Sequence, residues 1–356
     1  MITPAAAHKI PFRHKVAFGL GMLANQMFPA ALGIFMVVLV QDLGFPAWMW
    51  GILFFLPRVF DSVTDPIMGF ISDNTRSTWG RRKQYVFIGA IVMGISFIAM
   101  WQLQRSDDCV VATAIHDGHA LRPEVQAAMA LTDAERLREE DPFTGQAILG
   151  IPTHVIPALS RFECDLNRGE ADAVYTTPDQ CWGLEVWQAP PHPDMVERSL
   201  RYHRAFYSMM RQLLDDVATR SPFVLLDVHS YNHRRDGPAA DAMPQQDAPD
   251  INIGTFSMPR ECWAWLLDPL MDTMRGFDFL GRRLDVRENV AFQGKGQLAR
   301  FVHQTYPGVG CAIAIEFKKF FMDEWTGAPD AAELKEMRRL MTAVADTSRQ
   351  LLLGHG

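Results

Sequence analysis

Two histidines and one glutamate stand where a short apolar run gives way to polar residues. Residues 109–115 (CVVATAI) lead into His116, Asp117, Gly118 and His119; residues 223–228 lead through Asp227 into His229; residues 311–315 (CAIAI) deliver Glu316. Imidazole nitrogens and carboxylate oxygens are what catalytic zinc takes, in sets of two or three that leave one position for water. An acid for such a set stands in the cluster Glu139, Glu140, Asp141. A carboxylate beside the water can act as general base and then protonate a leaving amine. Residues 160–168 (SRFECDLNR) add Arg161, Asn167 and Arg168. A guanidinium near a polarised carbonyl stabilises an oxyanion, and an Asn–Arg pair can grip a carboxylate. Hydrolysis of an amide next to a carboxylate therefore has a candidate residue for every role.

Those residues need rigid elements behind them. Pro222 blocks a continuing helix, and the Val/Leu-rich run after it reads as a buried strand of a largely parallel sheet, where both faces are covered and alternation is lost. In open α/β sheets ligands bind beyond the carboxyl ends of strands, which is where His116, His229 and Glu316 fall. Helices are predicted over 123–141, 195–220 and 266–279, and a loop over the turn formers at 236–250. Residues 289–306 contain a Gly-Lys-Gly turn. His119, His203 and His233 are expected behind a metal's ligands, in loops or at the surface rather than as ligands, and Glu140 at a helix-end surface. Asp165 is expected to orient Arg161 or Arg168, and Lys318 and Lys319 to form a solvated face or an entry charge. Cys164 has no basic partner fixed to it and reads as a small core residue.

Five segments, IHDGH, REEDPFT, SRFECDLNR, LLDVHS and AIEFKKFFMDEWTG, run in that order within residues 108–327. Together they resemble the N-formylglutamate amidohydrolase family, within the wider zinc carboxypeptidase and aspartoacylase fold group. The resemblance implies a three-layer α/β/α domain, one zinc ion, and hydrolysis of a small-molecule N-acyl amino acid, N-formyl-L-glutamate being the family's named substrate. Position by position, it makes His116 and His229 zinc ligands, Glu316 the general base, Asn167 and Arg168 a carboxylate clamp, and Arg161 the oxyanion partner. The wider group often uses an HxxE pair, but position 119 here is His. The third ligand is placed at Asp141, with Glu140 and His119 as alternatives. Formyl, acetyl and peptidyl substrates all occur in the fold group, so the acyl group stays open.

The chain has two compositional halves. Residues 1–104 hold 8 Lys and Arg against 4 Asp and Glu, and the remainder holds 26 against 37. An acidic body without a Lys/Arg cluster argues against nucleic acid as a partner. All five cysteines lie in that body at scattered spacings, with no disulfide framework and no CxxC, which favours a reducing compartment and a cytoplasmic hydrolase. Residues 16–40 and 85–103 are free of charge, and 46–71 are apolar apart from Arg58, Asp61 and Asp65, so about three transmembrane helices are predicted, placing the chain at a membrane through residues 16–103. The basic residues before the first span and between the second and third put both places on the cytoplasmic side. Ionisable groups in a spanning helix mark polar cavities, and the spacing of four puts Asp61 and Asp65 on one helix face.

The stretch DSVTDPIMGFISDNTRSTWGRRKQ resembles the second helix and following loop of glycoside–pentoside–hexuronide cation symporters of the major facilitator superfamily, over roughly residues 10–103. It implies that Asp61 and Asp65 coordinate a cation and that Asp73, Arg81 and Arg82 belong to a conformational gate. Such transporters place their site between two six-helix halves, and three helices supply neither. The expected organisation is a truncated transporter-like segment over 1–104 fused to a hydrolase over 105–356.

Overall fold

The computed structural model describes residues 109–355, together with Phe55, Pro66, Ile67, Phe70, Ile71, Asp73, Asn74, Thr75, Phe87, Ile88 and Ile91. The chain divides into two compact units, Met1–Met100 and Trp101–Gly356. In the first unit the described residues other than Thr75 are helical, and the side chains of Asn74 and Thr75 donate to the carbonyls of Phe70 and Ile71. Asp61, Asp65, Arg81 and Arg82 lie outside the described residues, as does most of each predicted span. Among the described residues no helix is long and apolar enough to cross a membrane.

The second unit is a mixed α/β domain. Its six strands are β1 (Val110–Thr113), β2 (His154–Val155), β3 (Phe223–Tyr231), β4 (Ile251–Gly254), β5 (Val286–Glu288) and β6 (Gly310–Lys318), in the order β2-β1-β3-β6-β4-β5. Every neighbouring pair is parallel except β4 with β6, so the sheet is largely parallel with one reversal. All nine residues of β3 are buried, as a strand covered on both faces requires. Truncating one such fully buried side chain costs about 2–5 kcal/mol.

Among the described residues seven α-helices accompany the sheet: α1 (Pro123–Ala128), α2 (Asp133–Glu139), α3 (Thr144–Ile148), α4 (Pro193–Ala218), α5 (Ala264–Gly276), α6 (Gln297–Thr305) and α7 (Ala331–His355). Helix α4 begins with Pro193 in its first turn, where a missing N–H does no harm. It buries Met195, Ser199, His203, Phe206, Met210, Leu214 and Val217, steps of three and four that keep one stripe inward. The predicted helix over 123–141 is in fact two. Met129 is extended and bridges Trp187, and Thr132 then opens α2 with a capping box: its hydroxyl accepts from Glu135 N while Glu135 accepts from Thr132 N. Strands β3 and β6 also run further than the apolar runs that mark them, so His229 and Glu316 lie within the strands and not beyond their ends.

Candidate active site

The two-residue period of the strands does the positioning. Asp227 and His229 are two apart on β3 and project from one face. Glu316 is opposite His229 in the β3–β6 register, and Asn252 of β4 is opposite Glu316 on the other side. His116 follows β1 in a turn whose carbonyl accepts from Asp141 N at 3.0 Å. The carbonyl of Asp141 in turn accepts from Thr144 N at 3.3 Å and Thr144 Oγ1 at 2.6 Å. Between them Phe143 takes a left-handed backbone (φ 70°), rare for a bulky side chain, and so turns the chain sharply into α3.

These elements bring His116, Asp141 and His229 together. Both imidazoles present Nδ1 to the same oxygen, Asp141 Oδ2, at 3.2 Å and 3.1 Å, and Ser230 Oγ donates to the other oxygen at 3.3 Å. The potential ligand atoms of the three residues all lie within 4.8 Å of one another, and all three residues are buried. Each imidazole also has a carboxylate at its far nitrogen: Asp165 Oδ1 is 2.8 Å from His116 Nε2, and Asp227 Oδ2 is 3.0 Å from His229 Nε2. The first is a hydrogen bond; the second approaches as an ion pair but without hydrogen-bond alignment. Thr113 Oγ1 fixes Asp227 by donating to it at 2.7 Å. Carboxylates behind imidazoles are the usual support of metal-ligating histidines. Two imidazole nitrogens and one carboxylate oxygen form a donor set that fits a divalent transition metal such as zinc.

The charges are strongly coupled. Burial pushes the Asp141 carboxyl up, but hydrogen bonds and charge from His116 and His229 outweigh it and hold Asp141 well below the usual range. Burial would lower His229; the carboxylates of Asp227, Asp141 and Glu316 outweigh it and hold His229 well above the ordinary histidine value. Glu316 is pushed up to about 7, mainly by burial, with His229 opposing and Asp141 and Asp227 reinforcing. A carboxyl so placed exchanges protons near neutral pH, as a general base must.

The cluster opens into a cavity of about 680 Å³ whose wall includes Arg161, Asn167, Arg168, Trp182, Arg300 and Lys319. Asp165 orients the Arg161 guanidinium at 2.8 Å and lies 3.9 Å from Arg168 Nε, so it serves both arginines as well as His116. The Tyr175 hydroxyl donates to the same Asp165 oxygen as Arg161. Arg161 also faces the Trp182 ring at 4.9 Å. Arg168 donates one nitrogen to Gln180 O at 2.9 Å, and its side chain remains 40% exposed toward the cavity. Asn167 Oδ1 accepts from Leu298 N at 3.3 Å, at the start of α6, which leaves its amide nitrogen to donate. Gly296 is required beside it: a Cβ there would come within 2.3 Å of Asn167 Oδ1.

Several expectations change. Glu140 is fully buried, not a surface acid; it bonds His119 Nδ1 at 2.5 Å, Arg136 at 3.2 Å and Ser160 Oγ. With that network occupied, neither Glu140 nor His119 joins the histidine–aspartate cluster. His203 bonds Arg168 O at 2.9 Å and His233 pairs with Glu324 at 2.7 Å. Lys318 and Lys319 are buried rather than solvated, because each ammonium is enclosed by oxygen acceptors: Lys318 by Asp250, Gln245 and Ala248, Lys319 by the carbonyls of Arg138 and Glu140. Cys164 is buried as expected, with burial pushing its thiol up to about 12. Asp227 and Ser230 join the site although residue type alone does not single them out. Their signal is the D-x-H-S spacing on a strand, which puts Asp227 on the histidine's own face.

A mixed-sheet α/β domain carrying a buried His–Asp–His cluster, a raised glutamate and two arginines in one cavity has the make-up of a hydrolase. Residues 108–322 match the family described as N-formylglutamate amidohydrolase, and the chain belongs to that family. The fold is similar to the crystal structure of an N-formylglutamate amidohydrolase from Ralstonia eutropha JMP134, with a TM-score of 0.54 and 16% identity, over 69% of this chain and 94% of that one. Residues 17–113 match a second family, described as MFS/sugar transport protein. There the chain is 32% identical over 104 residues to an uncharacterised symporter of Synechocystis and 33% identical over 84 residues to an inner membrane symporter of Escherichia coli. Those stretches are 29% and 23% of this chain and only 19% and 18% of the two symporters.

Proposed function

We propose that residues 105–356 form a zinc-dependent amidohydrolase of N-acyl amino acids, with N-formyl-L-glutamate, cleaved to formate and glutamate, as the leading substrate. The observation that carries this is the pair of imidazole Nδ1 atoms meeting one oxygen of Asp141, with Glu316 in register beside His229. His116, Asp141 and His229 would hold the zinc; when bound, it polarises the amide carbonyl and makes water a better nucleophile at neutral pH. Glu316 takes the proton from the attacking water as the new C–O bond forms. It returns that proton to the amine nitrogen as the C–N bond breaks, leaving formate and the free amino acid. Arg161, held by Asp165, stabilises the negative charge on the former carbonyl oxygen. Arg168 and the Asn167 amide grip the substrate's α-carboxylate. The helices are read as the outer layers of a three-layer α/β/α arrangement.

A panel of N-formyl and N-acetyl acidic amino acids, assayed for amine release with added zinc, tests the substrate assignment. N-formyl-L-glutamate is expected to show the highest kcat/KM; a clear preference for the acetyl compounds would reassign the acyl group.

The match over residues 17–113 favours a second element: attachment to a membrane through residues 16–103, as a transporter-like segment over 1–104 fused to the hydrolase. The competing account is a fragment of a cation-coupled sugar transporter for which the C-terminal part is a passenger. Zinc content with hydrolase activity, measured alongside sugar uptake in vesicles, separates the two.

A further inference from the structure

Lys319 is buried to 1% exposure, where a charged ammonium ordinarily requires a partner. Its Nζ donates to two backbone carbonyls, Arg138 O at 2.6 Å and Glu140 O at 2.7 Å. Those carbonyls belong to the end of α2 and its cap, where a helix leaves its last carbonyls unpaired and its dipole favours a cation. The next residue is Asp141. Lys319 itself stands three residues after Glu316, just past the end of β6, and it lines the same cavity. One side chain thus ties the strand carrying the raised glutamate to the segment that delivers the acid shared by both histidines.

We propose that Lys319 is a positioning residue for the metal centre: by holding the Arg138–Glu140 carbonyls it fixes Asp141 at the meeting point of His116 and His229. The inference rests on the metal-site reading above, and it goes beyond the assigned ligands. It also opposes what simple electrostatics predicts. A fixed positive charge near a cation site repels the cation, so a lysine acting only through its charge should weaken metal binding, and removing it should tighten binding. A lysine acting as a tie should do the reverse. Loss of supports one step behind the ligands typically lowers metal affinity about 10–100-fold.

The test is metal affinity of the full chain, read by competition with a chromophoric chelator for Zn²⁺ and by the absorption spectrum of the Co²⁺-loaded protein. Lys319→Met is expected to weaken Zn²⁺ binding at least tenfold and to alter the Co²⁺ bands. Lys318→Met is the control: that ammonium contacts Asp250, Gln245 and Ala248, away from Asp141, so its loss should lower thermal stability without changing either metal readout. If Lys319→Met does not fold, Lys319→Leu, which likewise removes every N–H donor, is read in the same way. Unchanged or tighter Zn²⁺ binding with an unaltered Co²⁺ spectrum overturns the proposal. A wild-type chain that binds neither ion would instead overturn the metal-site reading on which it rests, so the two failures are distinguishable.

Discussion

Glu316 lies directly opposite His229 in the register of the central strand pair β3–β6. The pairing ties the proposed general base to a proposed metal ligand through the strand ladder, without dependence on loop conformation. Glu316→Gln is therefore expected to retain metal while turnover falls on the order of a hundredfold or more, since an amide cannot accept the proton. Zinc content and kcat measured on the same preparation check it. Near-normal turnover would move the base role to another acid.

The same residue sets a pH signature in the metal-free chain. Its carboxyl is raised from 4.5 to about 7 by burial, so between those values the folded state binds more protons than the unfolded one. Stability from this residue is then lost as pH rises through that window, and Glu316→Gln should flatten the slope. Denaturant melts of both proteins from pH 4.5 to 7.5 give the comparison; identical slopes would mean that Glu316 is not desolvated.

His303 works in the opposite sense. Burial lowers it from 6.5 to about 4, and the neutral ring accepts from Ala312 N at 3.0 Å while contacting Ser257 Oγ at 3.0 Å. Its contribution is present in full above pH 6.5 and is lost as pH falls toward 4, by an amount on the order of 2–3 kcal/mol. His303→Gln should remove that acid-side loss in a pH series of thermal melts, at the expense of lower stability at neutral pH.

Asp227 supports His229 from behind, at 3.0 Å from Nε2. Asp227→Asn keeps the shape and removes the charge, and zinc affinity is expected to fall about 10–100-fold. Chelator competition reads this directly. Unchanged affinity would assign Asp227 to strand packing through Thr113 alone.

Arg168→Lys separates a carboxylate clamp from a structural arginine. A lysine is a point charge and cannot reproduce the two-pronged grip, so KM for an N-formyl amino acid should rise by an amount corresponding to roughly 2–5 kcal/mol, with zinc retained. The carboxamide analogue of the substrate should lose less. Equal losses would show that Arg168 serves mainly to hold Gln180 and the loop around it.

Much of this was legible in residue types and spacing. The strand-forming runs of β1, β3 and β6, the long helix α4 and the polar loop over 236–250 follow from composition and periodicity, and the ordered motifs point to His116 and His229 while leaving the third ligand among Asp141, Glu140 and His119. Short strands such as β2, β4 and β5 left too few residues to show a period. The break at Met129 depends on a bridge to Trp187, and the burial of Glu140, Lys318 and Lys319 depends on acceptors from distant segments. Charged residues read as solvated until their partners are known, because an unpaired charge is expelled from a core.

Formate release from N-formyl-L-glutamate by the full chain, before and after removal of metal by a chelator and again after adding back Zn²⁺, tests the central claim most directly. The account predicts turnover that disappears with the metal and returns with about one Zn²⁺ per chain. Undiminished formate release from the metal-free chain, or none from a chain holding one Zn²⁺, would contradict it.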